Sequence, residues 1–354
     1  MTSLSEHARP RIDILATPKC SPSVLFGLLD VLGSVGAMYP EMTTGMPGEE
    51  RLEIRVVAAD PAPFRCCGDI LVEPDGGLDD NTPPDAILVC DLYMPVDRPP
   101  RGTGAAEIAW LRRQHAAGVP ITSVCTGSLL LAEAGLLDGR DAAVHWAYRD
   151  LFRREYPDVR LCPETMLCLS SEPEGVVTAG GVSAWHDLAI YLIARFCGHR
   201  AAVETAKVFL ISGHSEGQLP YAVMTRQARA ADGVIADCQE WIAGHYAVDA
   251  PVERMVARSG LSPRTFARRF RAATGFAPID YVQALRIEEA KQMLETEDTG
   301  IDGIAMSVGY ADPASFRRLF KRLSGLTPAQ YRRKFGPRPL PRPGLTGRGA
   351  VEHG

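Results

Sequence analysis

The sequence predicts an α/β domain built on a mainly parallel sheet, followed by an all-α domain with two helix-turn-helix units. Three observations carry this expectation. Between about residues 10 and 200, short apolar strand-like runs alternate with helical stretches. Between 251 and 335, an arginine-rich helix preceded by a short helix and a small turn occurs twice, roughly fifty residues apart. A chain of 354 residues also exceeds one ordinary hydrophobic core.

Taken in order, RIDILA reads as a buried strand and SPSVLFGLLDVLGSVGAM as an amphipathic helix. Pro22 near its start and Gly33 and Gly36 toward its end punctuate it. YPEMTTGMPGEER reads as a loop and LEIRVVAA as a strand, and a polar Gly/Pro-rich excursion with room for a hairpin runs to Pro84. DAILVC is then a strand, GAAEIAWLRRQHAAG a helix, ITSVC a short strand and TGSLLLAEAGLL a helix starting at once after it. GVVTAGGVSAWHDLAIYLIARF supplies a strand, a glycine pair and a long apolar helix. The expected division is a domain over 10–200, a connection over 201–232 with GHSEGQLPY at its centre, a helical domain over 233–337 entered through DCQEWIAGHY, and a tail. The tail, 338–354, is rich in Pro, Gly and Arg and is expected to be disordered.

The formal net charge of -5 hides an asymmetry. Residues 230–340 hold 16 Lys+Arg against 13 Asp+Glu, whereas the rest holds 22 against 30. An acidic front and a mildly basic back suit a sensor joined to a nucleic-acid binder. The nine cysteines lack paired CxxC spacing, so neither a metal nor another cofactor is expected. The N-terminus lacks a signal-peptide apolar region and no apolar run approaches a membrane span. A reduced, cytoplasmic protein without a membrane partner is expected.

In the second half, VERMVARS-GL-SPRTFARRFRAATG and IDGIAMSV-GYAD-PASFRRLFKRLSG are the two repeats. Phe266 and Phe270 are four apart, as are Phe316 and Phe320, so each pair lies on one helical face and should be core. Arg264 and Arg268 lie on another face of the first helix, and Arg317, Arg318, Lys321 and Arg322 crowd the second. A basic face opposite a buried one can lie in a major groove, arginine forks reading guanine and lysines touching phosphate.

These stretches resemble the DNA-binding domain of AraC/XylS-type regulators, through ARSGLSPRTFARRFRAATGFAPIDYVQALRIEEAKQML and IDGIAMSVGYADPASFRRLFKRLSGLTPAQYRRKF. The resemblance implies a linker helix over about 279–295 and a double-stranded DNA partner. It places base reading on Arg264, Ala267 and Arg268, then on Ala314, Ser315 and Arg318, with Thr265, Arg317, Lys321 and Arg322 beside them. It also implies a homodimer.

Cys125 is the residue of chemical interest in the first half. It ends an apolar strand and a helix follows at once, which projects a side chain at the sheet's carboxyl edge. The helix N-terminus is expected to favour a thiolate there. The stretch resembles the nucleophile elbow of the ThiJ/PfpI superfamily, a flavodoxin-like parallel-sheet sandwich related to class I glutamine amidotransferases. The likeness is strongest in VCTGSLLLAEAGLLDGRDAAVHW and VVTAGGVSAWHDLAIYL, where it looks like isocyanide hydratase. The pairing with an AraC-type domain is that of GlxA-type regulators. The family's cysteine falls on Cys125 and its histidine on His145, while His186 reads as a capping or packing residue.

Three departures oppose catalysis. The family's carboxylate position is Val24, its glycine-rich turn is Cys90-Asp91-Leu92-Tyr93, and the Thr of its THW motif is Val144. Without the acid, a Cys–His pair lacks part of the proton transfer that hydration or hydrolysis needs. The expected function is a transcription regulator, not an enzyme, controlled by a small effector held by Cys125, Thr126, His145, Val24, Leu92 and Tyr93. The alternatives are a cysteine-dependent hydrolase or hydratase using Cys125 and His145, and a redox sensor at Cys125.

Overall fold

A computed structural model of the chain describes residues 9–79, 82–170, 175–224 and 232–337. It divides into two compact units, Met1–Ala222 and Val223–Gly354. The tail from 338 lies outside the described residues.

In the first unit the strands are β1 (Arg11–Leu15), β2 (Glu53–Val57), the hairpin β3 (Phe64–Cys66) and β4 (Ile70–Val72), β5 (Ala86–Val89), β6 (Ile121–Val124), β7 (Asp141–Ala142), β8 (Arg160–Leu161), β9 (Leu167–Leu169) and β10 (Val176–Ala179). Six of them form one sheet in the order β2-β1-β5-β6-β10-β9, parallel except where β9 runs against β10. The helices are α1 (Pro22–Gly33), α2 (Met38–Thr44), α3 (Ala105–Ala116), α4 (Gly127–Glu133), α5 (Arg149–Glu155), α6 (Trp185–Cys197) and α7 (His199–Phe209).

The period of two along each strand decides which helices it meets. Ile12, Ile14, Ala86 and Leu88 face a core with α1, α6 and α7. Leu15, Ile87 and Val89 face the other core, with Trp110, Leu111, Leu151 and Phe152 from α3 and α5. Both faces are covered, which is why these strands read as continuous apolar runs. The expected parallel-sheet sandwich is therefore present, with its connections right for an open sheet whose ligand crevice lies beyond the strands' carboxyl ends.

Two expectations need correction. The segment YPEMTTGMPGEER was read as a loop, yet Met38–Thr44 is a helix closed by Gly45 at φ 75. Its polar residues obscure the signal, and its seven residues are too short for periodicity to show. The connection expected over 201–232 also begins too early. α7 packs Ala201, Ala202 and Thr205 against the first unit, and the following residues belong to it as far as Ala222. Gly198, at φ 87, ends α6 and allows the chain to turn straight into α7.

The second unit holds α8 (Gly233–Ala243), α9 (Pro251–Ser259), α10 (Pro263–Thr274), α11 (Pro278–Thr296), α12 (Ile301–Ser307), α13 (Pro313–Ser324) and α14 (Pro328–Phe335). It is an internal repeat down to single hydrogen bonds. Ser262 and Asp312 cap α10 and α13, each before a proline, and Gly275 and Gly325 end them in the left-handed region. Thr274 and Ser324 each donate to the carbonyl four residues back, Phe270 and Phe320, at 2.7 Å. One core gathers Ile235, Met255, Phe266, Phe270 and Val282, the other Ile304, Val308, Phe316, Phe320 and Tyr331. α11 contributes to both, through Val282 at one end and Ile287, Ala290 and Leu294 further along.

Candidate ligand cleft and DNA-reading helices

Cys125 sits between β6 and α4 with φ 53, a left-handed conformation that costs a residue other than glycine roughly 1–2 kcal/mol. The turn is held from all sides. The Cys125 N–H donates to Ala179 at 2.7 Å and Ser128 Oγ donates to the Cys125 carbonyl at 2.8 Å. Thr126 Oγ1 donates to the Leu92 carbonyl at 2.7 Å and accepts from the Leu92 N–H at 2.8 Å. A Cβ on Gly127 would lie 2.5 Å from the Cys90 carbonyl oxygen, so only glycine lets the helix start this close to β5.

The elbow is thus present, but it is sealed. Cys125 is 4% exposed, and burial, seconded by the Asp91 carboxyl, pushes its thiol up to about 12. The expected thiolate is overturned: desolvation outweighs the helix N-terminus. Val24 is fully buried and Thr126 is spent on the Leu92 backbone. Tyr93 is 79% exposed. Leu92 lines a separate depression of about 160 Å³ with Thr17, Pro18 and Met94. Of the six residues expected to hold an effector, His145 alone lines the larger cleft described next.

That cleft, about 440 Å³, opens beyond the carboxyl end of β10. Its walls include His145, Trp146, Met166, Trp185, His214 and Gln218, with Ser23 entering at the start of α1. His145 accepts the Ala147 N–H at Nδ1, 3.2 Å, which leaves its proton on Nε2. Burial, then the nearby Arg149 guanidinium, lowers its pKa and keeps the ring neutral. His214 is held by Asp187, Nδ1 to Oδ2 at 2.6 Å, and its backbone N–H meets Oδ1 at 3.0 Å. His186, its pKa lowered by burial and then by His214, lies beside Trp185 with ring centroids 3.8 Å apart and the rings tilted by 45°. Its packing role was expected.

Gln218 was not. It is 2% exposed, its Oε1 accepts from the Trp146 N–H at 3.2 Å, and its Nε2 donates to the Val144 and Thr165 carbonyls at 3.1 Å each. A Cβ on Gly180 would stand 1.9 Å from that Nε2, so the glycine pair noted after β10 makes room for the amide. Another missed group is Asp91, buried and accepting from Ser21 N–H at 3.0 Å and Oγ at 2.5 Å. Burial raises its pKa. It lies near Cys125, where the sequence marks only a lost glycine turn. Among the described residues, no group of three or more His, Cys, Asp or Glu could hold a metal ion. No single described helix is long and apolar enough to cross a membrane.

In the helical unit, Arg264, Ala267 and Arg268 are exposed along α10, with Thr265 half-buried between them and Phe266 and Phe270 facing the core. On α13, Ala314, Arg317, Arg318, Lys321 and Arg322 are exposed and Ser315 is half-buried. The arginines of the two helices differ in company. Arg317 pairs with Asp302 of α12, Arg318 donates to Ser315 Oγ at 2.8 Å and lies 3.8 Å from Asp312, and Arg322 meets Gln283 at 3.4 Å. On α10, Arg269 makes a bidentate ion pair with Asp232 at 2.8 and 2.6 Å, away from the reading face.

Residues 23–194 match the DJ-1/PfpI family and residues 255–334 match the helix-turn-helix domain family. The HTH-type transcriptional regulator CdhR of Pseudomonas aeruginosa is 28% identical over 329 residues, 90% of this chain and 92% of its own length. The HTH-type transcriptional regulator GlxA of Rhizobium meliloti is 29% identical over 254 residues, covering 71% and 75% of the two chains. A solved ThiJ/PfpI family protein from Pseudomonas syringae is 18% identical, with 72% of this chain and 91% of that chain covered at a TM-score of 0.47. The chain thus joins a DJ-1/PfpI-family domain to an AraC-type helix-turn-helix domain, a combination that fits a GlxA-type regulator of the AraC family.

Proposed function

We propose that this DNA-binding transcription regulator is switched by a small molecule held in the cleft between His145 and His214. The observation behind this reading is the separation of cleft from thiol. The wall carries two indoles, a thioether, two imidazoles and a fixed amide, while Cys125 is sealed and protonated. Such a surface recognises a compact ligand by stacking and a few directed hydrogen bonds. A buried thiol with Val24 in place of a carboxylate lacks the groups that a hydratase or hydrolase needs to move protons. The effector shifts the DNA-binding state by its differential affinity for the two conformations. Homodimerisation and a cytoplasmic location complete the proposal, supported by the family.

A thermal-shift screen of the full-length chain against a metabolite library tests it, repeated on Trp146→Ala and Cys125→Ala. The expected hit disappears in Trp146→Ala and survives in Cys125→Ala. The reverse pattern rejects the cleft in favour of the elbow. On the DNA side, Arg268→Ala and Arg318→Ala each weaken specific binding by about 1–3 kcal/mol where their guanidinium groups are bidentate to guanine.

A further inference from the structure

The two reading helices carry the same kinds of side chain in opposite electrostatic settings. On α10, Arg264, Arg268 and Arg271 are exposed, and no hydrogen bond or ion pair to a side chain of the described residues accompanies them. On α13, two carboxylates stand against the arginines. Asp302, from the supporting helix α12, takes Arg317. Asp312 accepts the Ala314 and Ser315 N–H groups at 3.0 Å each and Ser315 Oγ at 2.6 Å. Ser315 in turn takes Arg318. That hydrogen bonding, Ser315 first, holds the Asp312 carboxyl below its usual range, so it stays charged beside the helix.

A guanidinium already facing a carboxylate must exchange that partner to meet a phosphate. Exposed pairs are weak, each favoured by about two- to fivefold. That is small against a bidentate base contact but comparable with one phosphate contact. We propose that Asp302 and Asp312 are specificity-setting residues: they hold Arg317 and Arg318 back from indiscriminate phosphate contact, so α13 engages where the base sequence repays the exchange, whereas no carboxylate of the described residues restrains Arg264 or Arg268 on α10. Asp312 is a positioning residue here, acting on Arg318 through Ser315. The inference rests on the DNA-binding reading above.

The test starts by selecting duplexes from a randomised pool with the wild-type full-length chain. Binding to a selected duplex and to a scrambled duplex of equal length is then measured across a salt series. Wild type, Asp302→Asn, Asp312→Ser and Asp298→Asn are compared, the last removing a carboxylate near α12 that holds no arginine of the described residues. Serine at 312 keeps a capping hydroxyl, and Asp302 caps no helix, so one variant stands if the other unfolds. Each of the first two variants is expected to bind the scrambled duplex about two- to fivefold more tightly. The salt slope on that duplex steepens by about one unit, as for one added phosphate contact, and the ratio of selected to scrambled affinity falls. Unchanged slopes in both variants, or an equal steepening in Asp298→Asn, overturn the inference. Failure of the wild type to enrich any duplex overturns the DNA-binding reading instead.

Discussion

The elbow and the cleft lie at the same carboxyl edge of one sheet, yet they have become different kinds of place. At the elbow, the polar groups of the turn are committed to backbone: Thr126 to Leu92, Ser128 to Cys125, the Cys125 N–H to Ala179. In the cleft, the lining side chains are fixed by bonds behind them, as with His145 on Ala147, His214 on Asp187 and Gln218 on three backbone groups. The strained turn at Cys125 closes a core. The open, polar-lined wall lies one strand over, at the end of β10 and not of β6.

The largest expected effect separates the two places chemically. In the native protein, iodoacetamide should leave Cys125 unmodified, because a thiol near 12 holds about a thousandfold less thiolate than an ordinary one, before burial adds its own protection. Mass mapping that finds Cys125 among the first labelled sites would break the comparison. Gly127→Ala should destabilise the first unit by about 3 kcal/mol, since its Cβ meets two backbone carbonyls that cannot swing aside. A denaturation midpoint equal to wild type would mean the elbow is softer than its hydrogen bonds imply.

At the cleft, Gln218→Ala should cost about 2 kcal/mol by leaving the Val144 and Thr165 carbonyls and the Trp146 N–H unmatched. The same change should loosen His145 and Trp146 and weaken the effector response, while DNA selection by the second unit persists. The smallest effect is in pH. His145 and His186 have folded pKa values below the ordinary 6.5, so folding disfavours their charged forms. Their neutral state costs nothing above pH 6.5, and stability falls as pH drops from there toward the depressed values. Melting curves of His145→Asn should show a shallower fall across that window, and an identical pH profile would remove His145 from the account.

The repeated helices were readable because their signals are local. Phe266 with Phe270, and Phe316 with Phe320, sit four apart, and each helix starts at a capping side chain before a proline and ends at a glycine. The sheet was readable for a similar reason, as buried parallel strands leave continuous apolar runs. The cleft was not, because its parts converge from distant stretches. Gln218 acts 72 and 74 residues from Trp146 and Val144, inside a stretch whose Gly, His and Ser composition suggests a connection. Nor does sequence reveal how deeply Cys125 is buried, which turns the expected thiolate into a thiol. The motif marks where the chain turns sharply, while its surroundings decide the charge.

α11 is described above as a shared wall of two cores, and that makes it a gauge. Its 19 helical residues span about 28 Å. Arg286 locks it at mid-length, donating to the Tyr246, Gly309 and Val248 carbonyls at 2.7, 2.8 and 3.0 Å, with its guanidinium 5.2 Å from the centre of the Tyr310 ring. The distance and phase between the two reading helices are therefore written into covalent length. One residue added to α11 would turn the second helix by about 100° around that axis and advance it about 1.5 Å. Spacing between the two helices is fixed by counting residues, so substitution can retune their exposed side chains far more easily than the interval between them.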